Sequence, residues 1–88
     1  MEINSAHDLG VAVRGRRISL GLSQADLAKR AGVSRPWLSN IETGKPTAEF
    51  GRVIRLLDAL GLRLHLGVPR AATGAIDLDS FLRDYEAR

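Results

Sequence analysis

Residues Leu22–Lys45 read LSQADLAKRAGVSRPWLSNIETGK, and this stretch decides the fold. Ser23 followed by Asp26 is a helix-capping signal, Gly32 is suited to end the helix so begun, and Ser34 opens another. The pattern predicts two short helices joined by a tight turn. Such a pair presents its second helix as a rod that fits the DNA major groove.

Two further helices are expected on either side of this pair. The first runs from Ser5, which begins another capping signal, to Leu20, and Gly21 is a plausible stop. The last starts at Thr47 and runs to about Leu60, because the chain there has an apolar stripe at helical spacing. The stripe consists of Phe50, Val53, Ile54, Leu57 and Leu60.

The segment that follows, residues 62–68 (LRLHLGV), alternates between apolar and other side chains, which predicts a β-strand. The side chains on one face of that strand are Leu62, Leu64, Leu66 and Val68. Because a lone strand leaves its backbone donors and acceptors unpaired, it needs a partner. The simplest partner is the same strand of a second copy, paired about a two-fold axis.

The length of 88 residues is enough for one small domain, which we place at residues 1–68. Residues 69–76 are typical of a linker, and the tail, residues 77–88, has the spacing of a last short helix. The chain contains no cysteine, which excludes disulfides and cysteine-ligated zinc. We see neither a secretory signal nor a membrane span, and we expect a cytoplasmic protein.

The charge is unevenly distributed. Residues 14–63 contain ten Lys and Arg against four acidic residues, whereas the tail has an excess of acids. A basic body favours a polyanionic partner, although solvated surface charge explains it about equally well.

The sequence gives little support to catalysis or metal binding. It contains no glycine-rich phosphate loop, no cysteine nucleophile and no His–carboxylate pair at a useful spacing. His7 and His65 lack a third candidate ligand nearby. We therefore expect no enzymatic activity, no metal site and no cofactor.

The stretches LSQADLAKRAGVS and LSNIETGKP resemble the phage repressor/Cro-type (XRE) helix-turn-helix family over roughly residues 8–61. The continuation FGRVIRLLDALGLRLHLGV is most similar to the HipB-type antitoxins. The resemblance implies a mainly α, four-helix lambda-repressor-like domain whose C-terminal strand pairs across a homodimer. It further implies that the dimer binds double-stranded operator DNA, represses its own operon and restrains a HipA-type serine/threonine kinase toxin.

Matching by position implies roles for the second helix of the pair. The groove-facing residues are Ser34, Arg35, Ser39 and Asn40. Pro36 departs from the family pattern because it offers no donor to a base, which shifts the weight onto Arg35. An arginine at the start of a groove helix can give guanine two parallel hydrogen bonds.

The same match implies contacts outside that helix. Gln24 and Lys45 correspond to contacts with the phosphate backbone, and Arg17 and Glu42 to a partly buried structural ion pair. Two alternatives stay open at this point. One is a free-standing regulator without a toxin, and the other is a protein-interaction module that does not bind DNA.

Overall fold

Four helices form the part of the chain that the computed structural model describes, residues 2–68 and 82–83. They are α1 (Ala6–Ser19), α2 (Gln24–Ala31), α3 (Arg35–Glu42) and α4 (Phe50–Ala59). α1 packs on α3, and α2 packs on both α3 and α4. The mainly α, four-helix arrangement predicted from the sequence is confirmed.

Serine caps begin the first three helices where the sequence predicts them. The Ser5 hydroxyl accepts a hydrogen bond from the Asp8 N–H at 3.1 Å. The Ser23 and Ser34 hydroxyls do the same for the N–H groups three residues on, at 3.0 and 3.2 Å. Each cap satisfies a backbone donor that has no acceptor within its helix, which fixes the helix start.

The turn between α2 and α3 depends on Gly32, which has a φ of 70°. In this left-handed conformation a side chain is strained, whereas glycine adopts it at low cost. The chain reverses there so that the Val33 N–H reaches the Ala28 carbonyl at 3.0 Å. Val33 then packs against the core and closes the turn from inside.

The core collects apolar side chains from all four helices. Five of them are essentially inaccessible to solvent: Val13, Leu27, Leu38, Leu56 and Leu60. Ala28, Ala31, Ile41, Val53 and Leu57 complete the buried set.

α4 differs from its prediction in its first residue and in which of its sides faces the core. It begins at Phe50 rather than Thr47, and its N-cap residue Glu49 makes no side-chain capping hydrogen bond. Phe50 and Ile54 are 64% and 40% exposed, whereas Leu56, outside the predicted stripe, is fully buried. Because no buried contact lies before Val53, nothing holds an additional turn in front of Phe50.

The alternating segment, residues 62–68, is not confirmed as a strand, and the part of the chain described by the structure contains no β-strand. Leu62 differs from the other residues of the predicted strand face. Its N–H donates to the Leu57 carbonyl at 2.8 Å, and its side chain packs against the core as part of the α4 terminus. Leu64, Leu66 and Val68 are 48%, 93% and 45% exposed.

The predicted linker and tail lie outside the described residues, apart from Leu82 and Arg83, which have helical backbone. The division of the chain at residue 68 therefore stays a prediction.

A glycine sets the distance between α1 and α3. A Cβ atom at Gly10 would lie 2.5 Å from the Ile41 carbonyl oxygen and 2.8 Å from that of Glu42. The obstructing atoms belong to backbone, so they cannot rotate away. The two helices can cross at this distance because residue 10 has no side chain.

We expect Gly10→Ala and Gly15→Ala to change stability in opposite directions, although both lie inside α1. Alanine at position 10 forces the helices apart and should cost about 1–3 kcal/mol of unfolding free energy. Nothing lies within 4 Å of a Cβ at Gly15, so alanine there should stabilise the helix by about 0.5–1 kcal/mol. Chemical denaturation of both variants measures the difference, and equal effects would contradict the close crossing.

Candidate nucleic-acid interface

α3 buries one side and exposes the other. Leu38 and Ile41 are 0% and 4% exposed and face the core. At about 100° per residue, residues 36, 39 and 40 lie opposite this buried side and residue 35 lies at the edge of the exposed side. Arg35, Pro36 and Asn40 are exposed, and Ser39 is half-buried. The structure therefore brings the predicted groove-facing residues of α3 together on one open surface.

The start of α3 carries both Ser34 and Arg35. Ser34 has an extended backbone and caps the helix through its hydroxyl, as predicted. Arg35 is the first helical residue, and Pro36 follows in the first turn, where its missing N–H leaves no intrahelical bond unmade. The guanidinium of Arg35 thus extends from a fixed helix end.

The end of α3 is closed by Thr43, which the sequence reasoning did not single out. Its hydroxyl donates to the Ser39 carbonyl at 3.0 Å and lies 3.2 Å from the Asn40 carbonyl. A threonine four residues after an exposed helical position commonly bonds back in this way, so the signal was present in the spacing. The bond engages only backbone atoms of Ser39 and Asn40.

A bidentate ion pair joins α1 to the last residue of α3. Arg17 Nε lies 2.9 Å from Glu42 Oε2, and Arg17 Nη2 lies 3.0 Å from Glu42 Oε1. The side chains are 13% and 3% exposed, so water screens the pair poorly. Two parallel hydrogen bonds also fix the relative orientation of the two groups.

Two further hydrogen bonds extend this pair to α2. Arg17 Nη1 donates to the Leu22 carbonyl at 2.9 Å, just before α2 begins. Gln24, the first residue of α2, donates through Nε2 to Glu42 Oε1 at 3.3 Å. The predicted phosphate contact Gln24 and the predicted ion pair therefore form one connected network.

Lys45 is exposed in the loop directly after α3, and its N–H donates to the Asn40 carbonyl at 3.0 Å. The preceding Gly44 has a φ of 83°, and a Cβ there would lie 3.0 Å from the Cα of His7. The loop therefore packs directly on the first turn of α1. This contact holds the Lys45 backbone in place relative to α3.

The N-terminus of α2 carries a complete capping box. The Ser23 N–H donates to the Asp26 carboxylate at 3.3 Å, reciprocating the cap described above. Hydrogen bonding by the Ser23 hydroxyl, and then by its N–H, lowers the pKa of Asp26. Because the pKa of Asp26 is lower in the folded state, this interaction stabilises the fold at pH values above the ordinary aspartate pKa. The stabilisation is lost as the pH falls through the lowered pKa.

A hydrogen bond from Arg16 also joins two helices, and it was not predicted from the sequence. Arg16 Nε donates to the Leu60 carbonyl at 2.9 Å and so fastens the last turns of α1 to the C-terminal end of α4. Nothing in the spacing distinguishes Arg16 from a solvated arginine, because the two residues are 44 positions apart.

The described residues contain no cluster of three or more His, Cys, Asp or Glu side chains placed to hold a metal ion. No helix among them is both long and apolar enough to cross a membrane.

Comparison with known proteins identifies this arrangement of helices. The helix-turn-helix domain family matches residues 8–72. The chain belongs to this family. It is a DNA-binding, helix-turn-helix transcriptional regulator of the XRE type.

Relatives of known sequence or structure agree with this assignment. The HTH-type transcriptional regulator y4mF of Sinorhizobium fredii is 37% identical over 67 residues, which cover 76% of this chain and 88% of the relative. A chain of a HipB–O4 20mer complex superposes with a TM-score of 0.73 at 26% identity, covering 80% of this chain and 99% of HipB. The restriction-modification controller protein C.AhdI of Aeromonas hydrophila gives 0.61 at 28% identity, covering 66% and 84%.

We expect Glu42→Gln to cost about 3 kcal/mol of unfolding free energy, because it leaves the Arg17 guanidinium poorly solvated and without its counter-charge. Arg52→Gln is the matched control. Arg52 pairs with Glu49 at 3.3 Å, but the side chains are 47% and 68% exposed. Its loss should cost less than about 1 kcal/mol. Denaturant titration measures both, and similar costs would show that the Arg17–Glu42 pair contributes no more than a surface pair.

Proposed function

We propose that this regulator is a homodimeric, sequence-specific repressor that inserts the exposed face of α3 into the major groove of a near-palindromic operator. The observation that carries the proposal is the open arc of α3, whose opposite side is held in the core and whose last residue is fixed by the Arg17–Glu42 pair. Two such helices in one dimer would enter successive major grooves about 34 Å apart.

Base reading falls mainly to Arg35 in this proposal. Its guanidinium projects from the first helical position and can donate two parallel hydrogen bonds to guanine. Asn40, five residues further along α3 and also exposed, offers an amide that matches adenine. Ser34 and Ser39 border this face, and Pro36 contributes shape alone.

Backbone contacts fall to Gln24 and Lys45. Gln24 stands at the first position of α2, where the backbone N–H groups also point outward, and its amide is already oriented by Glu42. Lys45 brings a positive charge just after the C-terminal end of α3, the end that Gln24 also contacts through Glu42. Phosphate contacts from these two side chains would fix the register of the helix on the duplex without reading sequence.

Arg35→Ala and Lys45→Ala remove the same charge and should differ in outcome. The first should reduce discrimination between operator and mutated operator by about 1–3 kcal/mol. The second should weaken binding to all sequences alike and lower the salt dependence of the logarithm of the affinity by about one per protomer. Fluorescence anisotropy with both duplexes at several salt concentrations measures this. An equal loss on both duplexes for Arg35→Ala would make it a phosphate contact.

Dimerisation is proposed to use the alternating segment. Leu64, Leu66 and Val68 are all exposed in the single chain, although they are apolar. Pairing with the same segment of a second copy would cover these side chains and satisfy the backbone groups between them. Leu62 would serve this interface indirectly, since it anchors the start of the segment to the core.

Leu66→Lys should prevent dimerisation and operator binding, because a charge on an edge strand opposes pairing. Leu66 is 93% exposed in the monomer, so the fold itself should tolerate the change. Ile18→Lys is the matched control, since Ile18 is 57% exposed on α1 and the charge change is identical. Sedimentation velocity and operator binding measure the result. A Leu66→Lys dimer with full operator affinity would overturn this part of the proposal.

We further propose that the protein acts as the antitoxin of a HipA-type serine/threonine kinase. A chain of a HipA–HipB–O2–O3 complex superposes with a TM-score of 0.73 over 80% of this chain, which supports the analogy. A HipA-like kinase gene beside this one, and formation of a complex between the two products, would distinguish an antitoxin from a free-standing regulator.

A further inference from the structure

The alternating segment lies between the end of α4 and the N-terminal arm. It starts beside the last turns of α1, where Arg16 holds Leu60 at 2.9 Å. Residues 63–68 of the segment line a groove together with the N-terminal arm, residues 2–4. The segment is long enough to reach the arm. An extended chain from 61 to 68 spans about 23 Å, and α1 rises about 18 Å from the arm to residue 16.

The groove between the arm and the segment is apolar with two charged groups. Its exposed apolar side chains are Ile3, Leu64, Leu66 and Val68. Glu2 and Arg63 also line it, and neither forms an ion pair with any residue that the structure describes. The arm is anchored at its base, because the Asn4 N–H donates to Asp8 Oδ2 at 2.9 Å.

We propose that the N-terminal arm is part of the homodimer interface and receives the alternating segment of the second copy. In this arrangement Glu2 pairs with the partner's Arg63, and Ile3 packs on the partner's Leu64. The inference rests on the homodimer of the proposed function. It adds the N-terminal arm to an interface that the strand pattern alone would limit to the alternating segment.

Two-fold symmetry supplies the reason for this pairing. When a segment pairs antiparallel with its own copy, the start of one lies opposite the end of the other. Arg63 is at the start of the segment, three residues after Leu60, which Arg16 holds near the far end of α1 from the arm. We therefore infer that the end of the segment lies nearer the arm than its start. The partner's Arg63 therefore approaches Glu2, and the opposite charges meet twice in each dimer.

A second copy fits this groove better than an unrelated ligand. The groove floor is itself the segment that has no ladder among the described residues, so its occupant must supply backbone donors and acceptors in an extended conformation. The same segment of a second copy supplies them, together with apolar side chains at the same spacing and a cation for Glu2.

Charge reversal tests the pairing in the full-length chain. Glu2→Arg and Arg63→Glu should each raise the dimer dissociation constant about tenfold, because each replaces two attractive contacts with repulsive ones. The double variant E2R/R63E should return to within about threefold of the original protein. Sedimentation equilibrium at low and physiological salt measures the constants, and circular dichroism confirms that each variant is folded.

Glu49→Arg is the control for charge alone, since it reverses an exposed acid that pairs with Arg52 in α4. It should leave the dimer constant unchanged. If the double variant is no tighter than the single ones, the Glu2–Arg63 pair is overturned. If both single charge reversals dimerise normally while Leu66→Lys does not, the proposed role of the arm in the interface is overturned and the proposed homodimer stands. A monomeric original protein would overturn both.

Discussion

The ion pair between Arg17 and Glu42 is the constraint on which the presentation of α3 depends. A carboxylate at the C-terminal end of a helix is electrostatically unfavourable, and a side chain only 3% exposed has little solvent to offset that. Glu42 is stable there because it accepts two hydrogen bonds from Arg17 and one from Gln24. The same bonds hold the end of α3 against α1 and the start of α2, so the outer face of α3 is free of any structural role.

The close crossing at Gly10 and the ion pair act together. The absence of a side chain at Gly10 lets α1 approach the backbone of Ile41 and Glu42, and that approach brings Arg17 within hydrogen-bonding distance of the Glu42 carboxylate two turns further along α1. One contact sets the separation of the two helices, and the other sets their rotation. A variant that moved the helices apart would therefore weaken the ion pair as well.

Features set by neighbouring residues were predictable from the sequence, whereas features that depend on distant residues or on a second chain were not. Ser23 and Ser34 mark helix starts because a cap acts over three residues. The rotation of α4 was not fixed, since Ile54 in the predicted stripe and Leu56 beside it are both apolar, and only tertiary packing chooses Leu56. The Arg17–Glu42 pair followed from family resemblance, because no local rule joins residues 25 positions apart. A strand at residues 62–68 needs a ladder, and the described residues of one chain do not supply it.

α1 connects the proposed DNA-reading face with the proposed dimer interface. Its inner side carries Gly10 and Arg17, which position α3, while Arg16 near its end fixes the point from which the alternating segment departs. Two recognition helices read a palindrome together only if their separation matches about one turn of DNA. Because a single helix supports both α3 and the root of the segment, the contacts of α1 position both proposed surfaces. In the proposed dimer, the spacing between the two reading faces would therefore depend on α1 and its contacts.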